Sequence, residues 1–178
     1  MTTVVGISGT LHSPSKTDRV LDAILTAIEE RTGAATSTVS VLHHGHAIVD
    51  ALAAPPAPAL ASAYEQVLAA DALVVATPVY KGSYTGLLKA FVDPVAQTAL
   101  ADTPVLLAAI AGDDQHSLVI DHELRPLFGF FGAAVLPRGV YARGVDLGDP
   151  DALAPRLREQ IDAAVDRLAA TLVPSVGP

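Results

Sequence analysis

Two segments, Ala72-Leu73-Val74-Val75-Ala76 and Val105-Leu106-Leu107-Ala108-Ala109-Ile110, are apolar at every position. A strand with one wet face alternates apolar and polar residues, so strands without alternation must be covered on both faces. Val4-Val5-Gly6-Ile7-Ser8 reads as a buried first strand, Thr38-Val39-Ser40-Val41-Leu42 as a second, and Ala134-Val135-Leu136 opens a fifth. Helical spacing fills the intervals. Asp18 to Ile28 carries apolar residues on one face and is closed by Gly33. Leu60 to Ala70 follows a proline-rich loop from Ala53 to Pro58, and a further helix starts near Gly86. Leu118 to Phe131 reads as a helix that Arg125-Pro126 is expected to kink. Ala152 to Leu172 is amphipathic, with Pro150 just before its start.

Strand and helix therefore alternate five times. The expected class is α/β: a three-layer, flavodoxin-like sandwich with a five-stranded parallel sheet of order 2-1-3-4-5 and helices on both faces. At 178 residues, with neither repeat nor linker, the chain reads as one domain over 1–178, its 174–178 tail expected to fray.

Composition narrows the chemistry. The absence of cysteine excludes disulfides, thiolate catalysis and Cys-ligated zinc or iron–sulfur clusters. A net charge of −8 with no basic face disfavours nucleic acid. No apolar run has the length of a membrane span, and Met1-Thr2-Thr3 leads straight into a strand without a basic leader, so a cytoplasmic protein is expected. Apolar residues at 51% against 17% charged imply buried surface beyond a monomer's core.

Function concentrates at Ala76-Thr77-Pro78-Val79-Tyr80-Lys81-Gly82-Ser83-Tyr84-Thr85-Gly86. Here a buried strand breaks at a proline into an aromatic, glycine-spaced corner before a helix, which is where open α/β sheets bind ligands. Backbone N–H groups beside a flat aromatic face suit a planar, hydrogen-bonding cofactor. The first loop, Gly9-Thr10-Leu11-His12-Ser13-Pro14-Ser15-Lys16-Thr17, places small hydroxyl residues at a helix N-terminus. A Walker A loop ending at Lys16-Thr17 would need glycine where Thr10 and Ser15 stand, and Gly6-Ile7-Ser8-Gly9 supplies no dinucleotide fingerprint. A monophosphate site and an ordinary Ser/Thr-capped helix both remain. His43-His44-Gly45-His46 lacks a matched carboxylate or cysteine set, so a loop is favoured over a metal site. Asp121-His122-Glu123 are adjacent on a helix and face different ways, so they form no triad.

Ser8-Gly9-Thr10 with Ser15-Lys16-Thr17, then Thr77-Pro78-Val79-Tyr80-Lys81 and Gly86-Leu87-Leu88-Lys89, together resemble the NAD(P)H-dependent FMN reductases. The pattern runs from Val4 to about Val140 and is most similar to the alkanesulfonate and methanesulfinate branch, which feeds reduced flavin to two-component monooxygenases. His116-Ser117-Leu118 and Asp121-His122-Glu123-Leu124-Arg125-Pro126 continue it. The resemblance implies a flavodoxin-like fold with FMN held between the loops after strands one, three and four. Gly9, Thr10, Leu11, Ser15, Lys16 and Thr17 would then hold the phosphate. Pro78, Val79, Tyr80, Lys81 and Ser83 would line the ribityl chain and one side of the ring. Ala111, Gly112 and Asp113 would supply the third loop, where the family usually has Gly-Gly-Thr or Gly-Gly-Ser. Ala111, Asp113 and Asp114 depart from that pattern, and two carboxylates beside a reduced flavin repel it unless they point to solvent or to a partner subunit. His122 falls where the family carries a tyrosine or histidine in a π-bulge at a tetramer interface, which implies a contact across subunits.

On this reading hydride passes from NAD(P)H to FMN and the protein stacks and orients the two rings. No catalytic acid or base and no metal is required. Hydroxyls and one lysine at the phosphate, without an arginine cluster, favour an FMN that exchanges. The expected partners are a flavin-dependent monooxygenase and further copies of the chain, as a homodimer or homotetramer joined through the helices near Gly86 and Leu118. The alternatives are a quinone or azo reductase with tightly held FMN, and a non-catalytic flavodoxin-like module. No residue that reads the nicotinamide ribose stands out.

Overall fold

The computed structural model describes residues 1–149 and 152–172; Pro150 and the 174–178 tail lie outside the described residues. Strands β1 (Thr3–Ser8), β2 (Ala35–Ser40), β3 (Ala72–Pro78), β4 (Pro104–Ala111), β5 (Ala134–Val135) and β6 (Val140–Arg143) form one parallel sheet. Their order is β2-β1-β3-β4-β5, with β6 also on β4. This is the expected flavodoxin-like arrangement with one difference: the fifth position is shared by two short strands. Pro137 lacks the N–H that a continuous strand would need, and Gly139 passes so close to Leu107 O that a Cβ would lie 2.5 Å from it. The edge strand breaks over Leu136–Gly139 and resumes against the upper half of β4.

Side chains alternate between two apolar layers, as the strand period demands. Val4, Val74, Leu106 and Ala108 face helices α1 (Lys16–Thr32) and α6 (Pro155–Leu172), meeting Leu21, Ile24, Ile161 and Val165. Val5, Ile7, Val75 and Leu107 face the other layer. There they meet α2 (Gly45–Asp50), α3 (Pro58–Leu68), α4 (Gly86–Val92) and α5 (Arg125–Phe130), through residues such as Ile48, Leu60, Phe91 and Phe128. Each buried valine, leucine, isoleucine or phenylalanine contributes about 1.5–3 kcal/mol by leaving water, which is why unalternating strands signalled this architecture.

Local signals set the helix ends. Ser15 caps α1 by accepting from Thr17 N, and Gly33 ends it in a left-handed conformation at φ 67°. Two elements differ from expectation. β2 begins at Ala35 and stops at Ser40, because Val41–His44 turn into a 3-10 segment leading to α2. The expected single helix over Leu118–Phe131 is instead a π-turn at Ile120–Leu124 followed by α5, with Pro126 in the first turn of α5.

Candidate functional site

The parallel register sets Ser8, Ala76, Ala108 and Val140 on one level across the sheet. The loops leaving β1, β3, β4 and β6 therefore emerge side by side, at the point where chain order turns from β2 on one side of β1 to β3 on the other. They enclose a cleft of about 400 Å³. Ser15, Lys16 and Thr17 line it from the first loop, Pro78, Val79 and Tyr80 from the second, and Ala111 and Gly112 from the third.

The first loop is pinned from below. Gly9 N donates to Ala76 O at 2.7 Å, and the Thr85 hydroxyl donates to Gly9 O at 2.8 Å. The Thr10 hydroxyl is fully buried, 2.8 Å from Ser15 Oγ and 3.1 Å from His12 O, so it shapes the loop from inside. Lys16, in the first turn of α1, makes no ion pair among the described residues. First-turn N–H groups, a hydroxyl cap and one unneutralised ammonium form a donor set suited to a monophosphate.

The second loop is a tight hairpin. Tyr80 N donates to Ser83 O at 2.9 Å and Ser83 N to Tyr80 O at 3.2 Å, with Lys81 at φ 54° and Gly82 at φ 83°. Two successive positive φ values define a type I′ turn, which Gly82 accepts freely and Lys81 does not. Val79 N donates to Ile110 O at 2.8 Å, tying this loop to the third. Tyr80 is 42% exposed and its hydroxyl lies 3.5 Å from His12 Nδ1, across the mouth of the cleft.

The third loop answers the charge question posed by Asp113 and Asp114. Asp113 Oδ1 accepts from Gln115 N at 2.9 Å, capping a short turn, while its carbonyl accepts from the Tyr141 hydroxyl at 2.6 Å. Asp114 pairs with Arg143 at 3.2 Å. Arg143 in turn grips Asp146 at 2.9 Å, and Arg156 reaches the same carboxylate at 3.0 Å. The Arg143 side-chain hydrogen bond holds the Asp146 carboxyl below the usual carboxylate range, against the opposing effect of burial.

Of the expected site residues, Gly9, Thr10, Leu11, Lys81, Ser83 and Asp113 do not line the cleft directly. Gly9 and Thr10 support it from beneath; Leu11 borders a neighbouring groove formed with Leu42, Val49 and Leu87. Ser83 donates to Glu123 Oε2 at 2.8 Å, a carboxylate presented by the π-turn. Four lining residues were missing from the expected set: His12, Pro14, Ile110 and Gly144. Gly144 follows β6, whose short Val140-Tyr141-Ala142 run was not expected as a strand. Among the described residues, no group of three His, Cys, Asp or Glu side chains is placed to hold a metal ion, and His43–His46 belong to the turn before α2 and to α2 itself.

The family model for NADPH-dependent FMN reductase matches residues 2–147, spanning all the loops of the cleft. The chain belongs to that family. It shares 40% identity over 167 residues with the FMN reductase (NADPH) of Pseudomonas aeruginosa, covering 93% of this chain and 90% of the relative. With the NADH-dependent FMN reductase SfnF of Pseudomonas fluorescens it shares 41% over 167 residues, covering 93% and 89%. Among solved structures, an oxidoreductase from Corynebacterium diphtheriae superposes with a TM-score of 0.89 at 36% identity over 97% of both chains. The apo NADH:FMN oxidoreductase EMOB matches with a TM-score of 0.89 at 29% identity, covering 100% of this chain and 92% of its own. This FMN reductase family member is thus an oxidoreductase that takes electrons from NAD(P)H and uses FMN.

Proposed function

We propose that the cleft seats FMN with its phosphate on the N-terminus of α1, and that reduced FMN then leaves for a flavin-dependent monooxygenase. The observation that carries this reading is the donor set at one end of the cleft. Lys16 is the sole lysine or arginine of the lining, beside Ser15 and Thr17. One ammonium and backbone donors bind a phosphate without the bidentate clamp that arginine would give, which suits a flavin that exchanges. The family resemblance and the name of SfnF point to the same branch.

Within this reading, FMN supplies the ring that accepts hydride from reduced nicotinamide. The chain's residues perform binding and orientation. Lys16 and the first-turn N–H groups fix the phosphate end, and the Pro78–Ser83 hairpin bounds the ring end, with Tyr80 and Lys81 at its tip. Gly112 and Gly144 leave the third loop open to close approach, their backbones joined by Gly144 N donating to Gly112 O at 3.3 Å. Asp114, paired to Arg143, presents no uncompensated charge to the reduced ring. No side chain is required to carry a proton.

Copies of the chain associate through the face bearing the π-turn, where Leu118 is 60% and Phe130 63% exposed and His122 is exposed between them. Among the described residues no helix is long and apolar enough to cross a membrane, and we place the protein in the cytoplasm. The deciding experiment is NADH and NADPH oxidation by purified protein with and without added FMN. Turnover that requires added FMN and saturates with it supports the exchanging reductase. Protein that stays yellow on dilution and turns over quinones without added flavin overturns the exchange.

A further inference from the structure

The break between β5 and β6 opens a second cavity, about 260 Å³ in volume, whose lining shares no residue with the flavin cleft. Arg138 and Gly139 enter it from the break, and Arg156, Gln160 and Arg167 from α6. The lining carries three guanidinium groups and a single carboxylate, Glu159, in a chain whose net charge is −8. Such a local excess of positive charge needs a reason.

The bonding of these groups leaves their donors unused. Arg138 and Arg167 make no hydrogen bond or ion pair among the described residues. Arg156 commits only Nη1, to Tyr141 O at 3.4 Å and Asp146 Oδ2 at 3.0 Å. Gln160 Oε1 accepts from the Tyr141 backbone N–H at 3.1 Å. That bond fixes which end of the amide is oxygen, and so leaves both Nε2 protons without an acceptor among the described residues. The remaining wall is small, Gly139 with Ala163 and Ala164, so the concavity is not filled by the protein itself.

We propose that this pocket binds a phosphate-type oxyanion, with Arg138 and Arg167 as the clamping cations and the Gln160 amide as a neutral donor. Guanidinium forks match tetrahedral oxyanions in geometry as well as charge. Glu159 fits the same ligand, because hydrogen phosphate near neutral pH carries an O–H that a carboxylate accepts, as does the monoanionic form of a phosphomonoester, whose second pKa is about 6. The source is either the free ion or a phosphomonoester, which share this chemistry.

The test is calorimetric titration of FMN-saturated protein with inorganic phosphate, and separately with glycerol phosphate, at ionic strength held constant with chloride. Saturating FMN occupies the cradle on α1, so any remaining site is a different one. One saturable site is expected for at least one probe, and the tighter probe identifies the source. In the R138A/R167A double variant the affinity should fall by about tenfold or more, the loss of charge-assisted hydrogen bonds, while FMN-dependent NAD(P)H oxidation stays unchanged. Both arginines are exposed, so neither substitution empties the core; the single variants Arg138→Gln and Arg167→Gln repeat the measurement with less change of charge. Absence of heat beyond the chloride control overturns the proposal. So does binding that the double variant retains in full, or binding seen only without FMN.

Discussion

A methyl group placed on Gly9 would sit 3.1 Å from Thr77 Oγ1 and 3.2 Å from both Ala76 O and Leu88 Cδ2. Backbone and a fully buried leucine cannot all give way, so Gly9→Ala is expected to lower stability by about 1–3 kcal/mol, read from the urea midpoint, and to raise the KM for FMN by displacing the first loop. Lys16→Ala addresses charge instead of shape. Stability should hardly change while the FMN KM rises about tenfold, the cost of one charge-assisted hydrogen bond; an unchanged KM would remove Lys16 from the phosphate site. Lys81 separates two effects in one side chain. Its φ of 54° is costly for any residue with a Cβ, so Lys81→Gly should raise the unfolding free energy by up to about 1 kcal/mol even as it removes a cation from the tip of the hairpin. At this scale the sequence was readable where residue type carries chemistry, as at Ser15, Lys16, Thr17 and Tyr80. It was silent at Ile110 and Gly144, which line the cleft only through the register of β4 and β6.

Among the elements, the π-turn at Ile120–Leu124 shows most plainly what a periodicity cannot foresee. An apolar pattern over Leu118–Phe131 fits a regular helix, and only the resemblance to known reductases raised a bulge at His122. The wider turn aims Glu123 at the Pro78–Ser83 hairpin, where Oε2 accepts from the Ser83 hydroxyl. Glu123→Ala should therefore raise the KM for FMN a few-fold with kcat unchanged, and Glu123→Gln, whose amide oxygen still accepts, should recover most of the loss. A loss of kcat with KM constant would instead place Glu123 in the chemistry. β2 illustrates a second limit. As an outer strand with polar Thr36, Ser37 and Thr38 facing partly outward, it offers little apolar signal, and Val41 and Leu42 belong to the turn that follows. The central strands, buried along almost their whole length, were read to within two residues.

For the molecule as a whole, stability in acid hinges on Asp146, whose side chain is 2% exposed and bonded by Arg143 and Arg156. Its folded pKa is depressed, chiefly by the Arg143 hydrogen bond, so the stabilisation it provides is complete above the unfolded value of about 3.9 and disappears as pH falls through the folded value. Asp146→Asn should cost about 1–3 kcal/mol at pH 7 and should flatten the decline of the urea midpoint below pH 4. Equal slopes for the two proteins would assign acid lability to other carboxylates. Sheet order and layering were legible from the sequence because burial on both faces leaves few alternatives, whereas the divided fifth strand was not, since it depends on Gly139 meeting the carbonyl of Leu107. That division also governs how copies can meet. Past the two-residue β5 comes a proline, and along β6 the outward N–H and carbonyl of Tyr141 are already taken by Gln160 and Arg156. No free ladder remains on that border for a neighbour to zip onto, so the sheet cannot grow from molecule to molecule there.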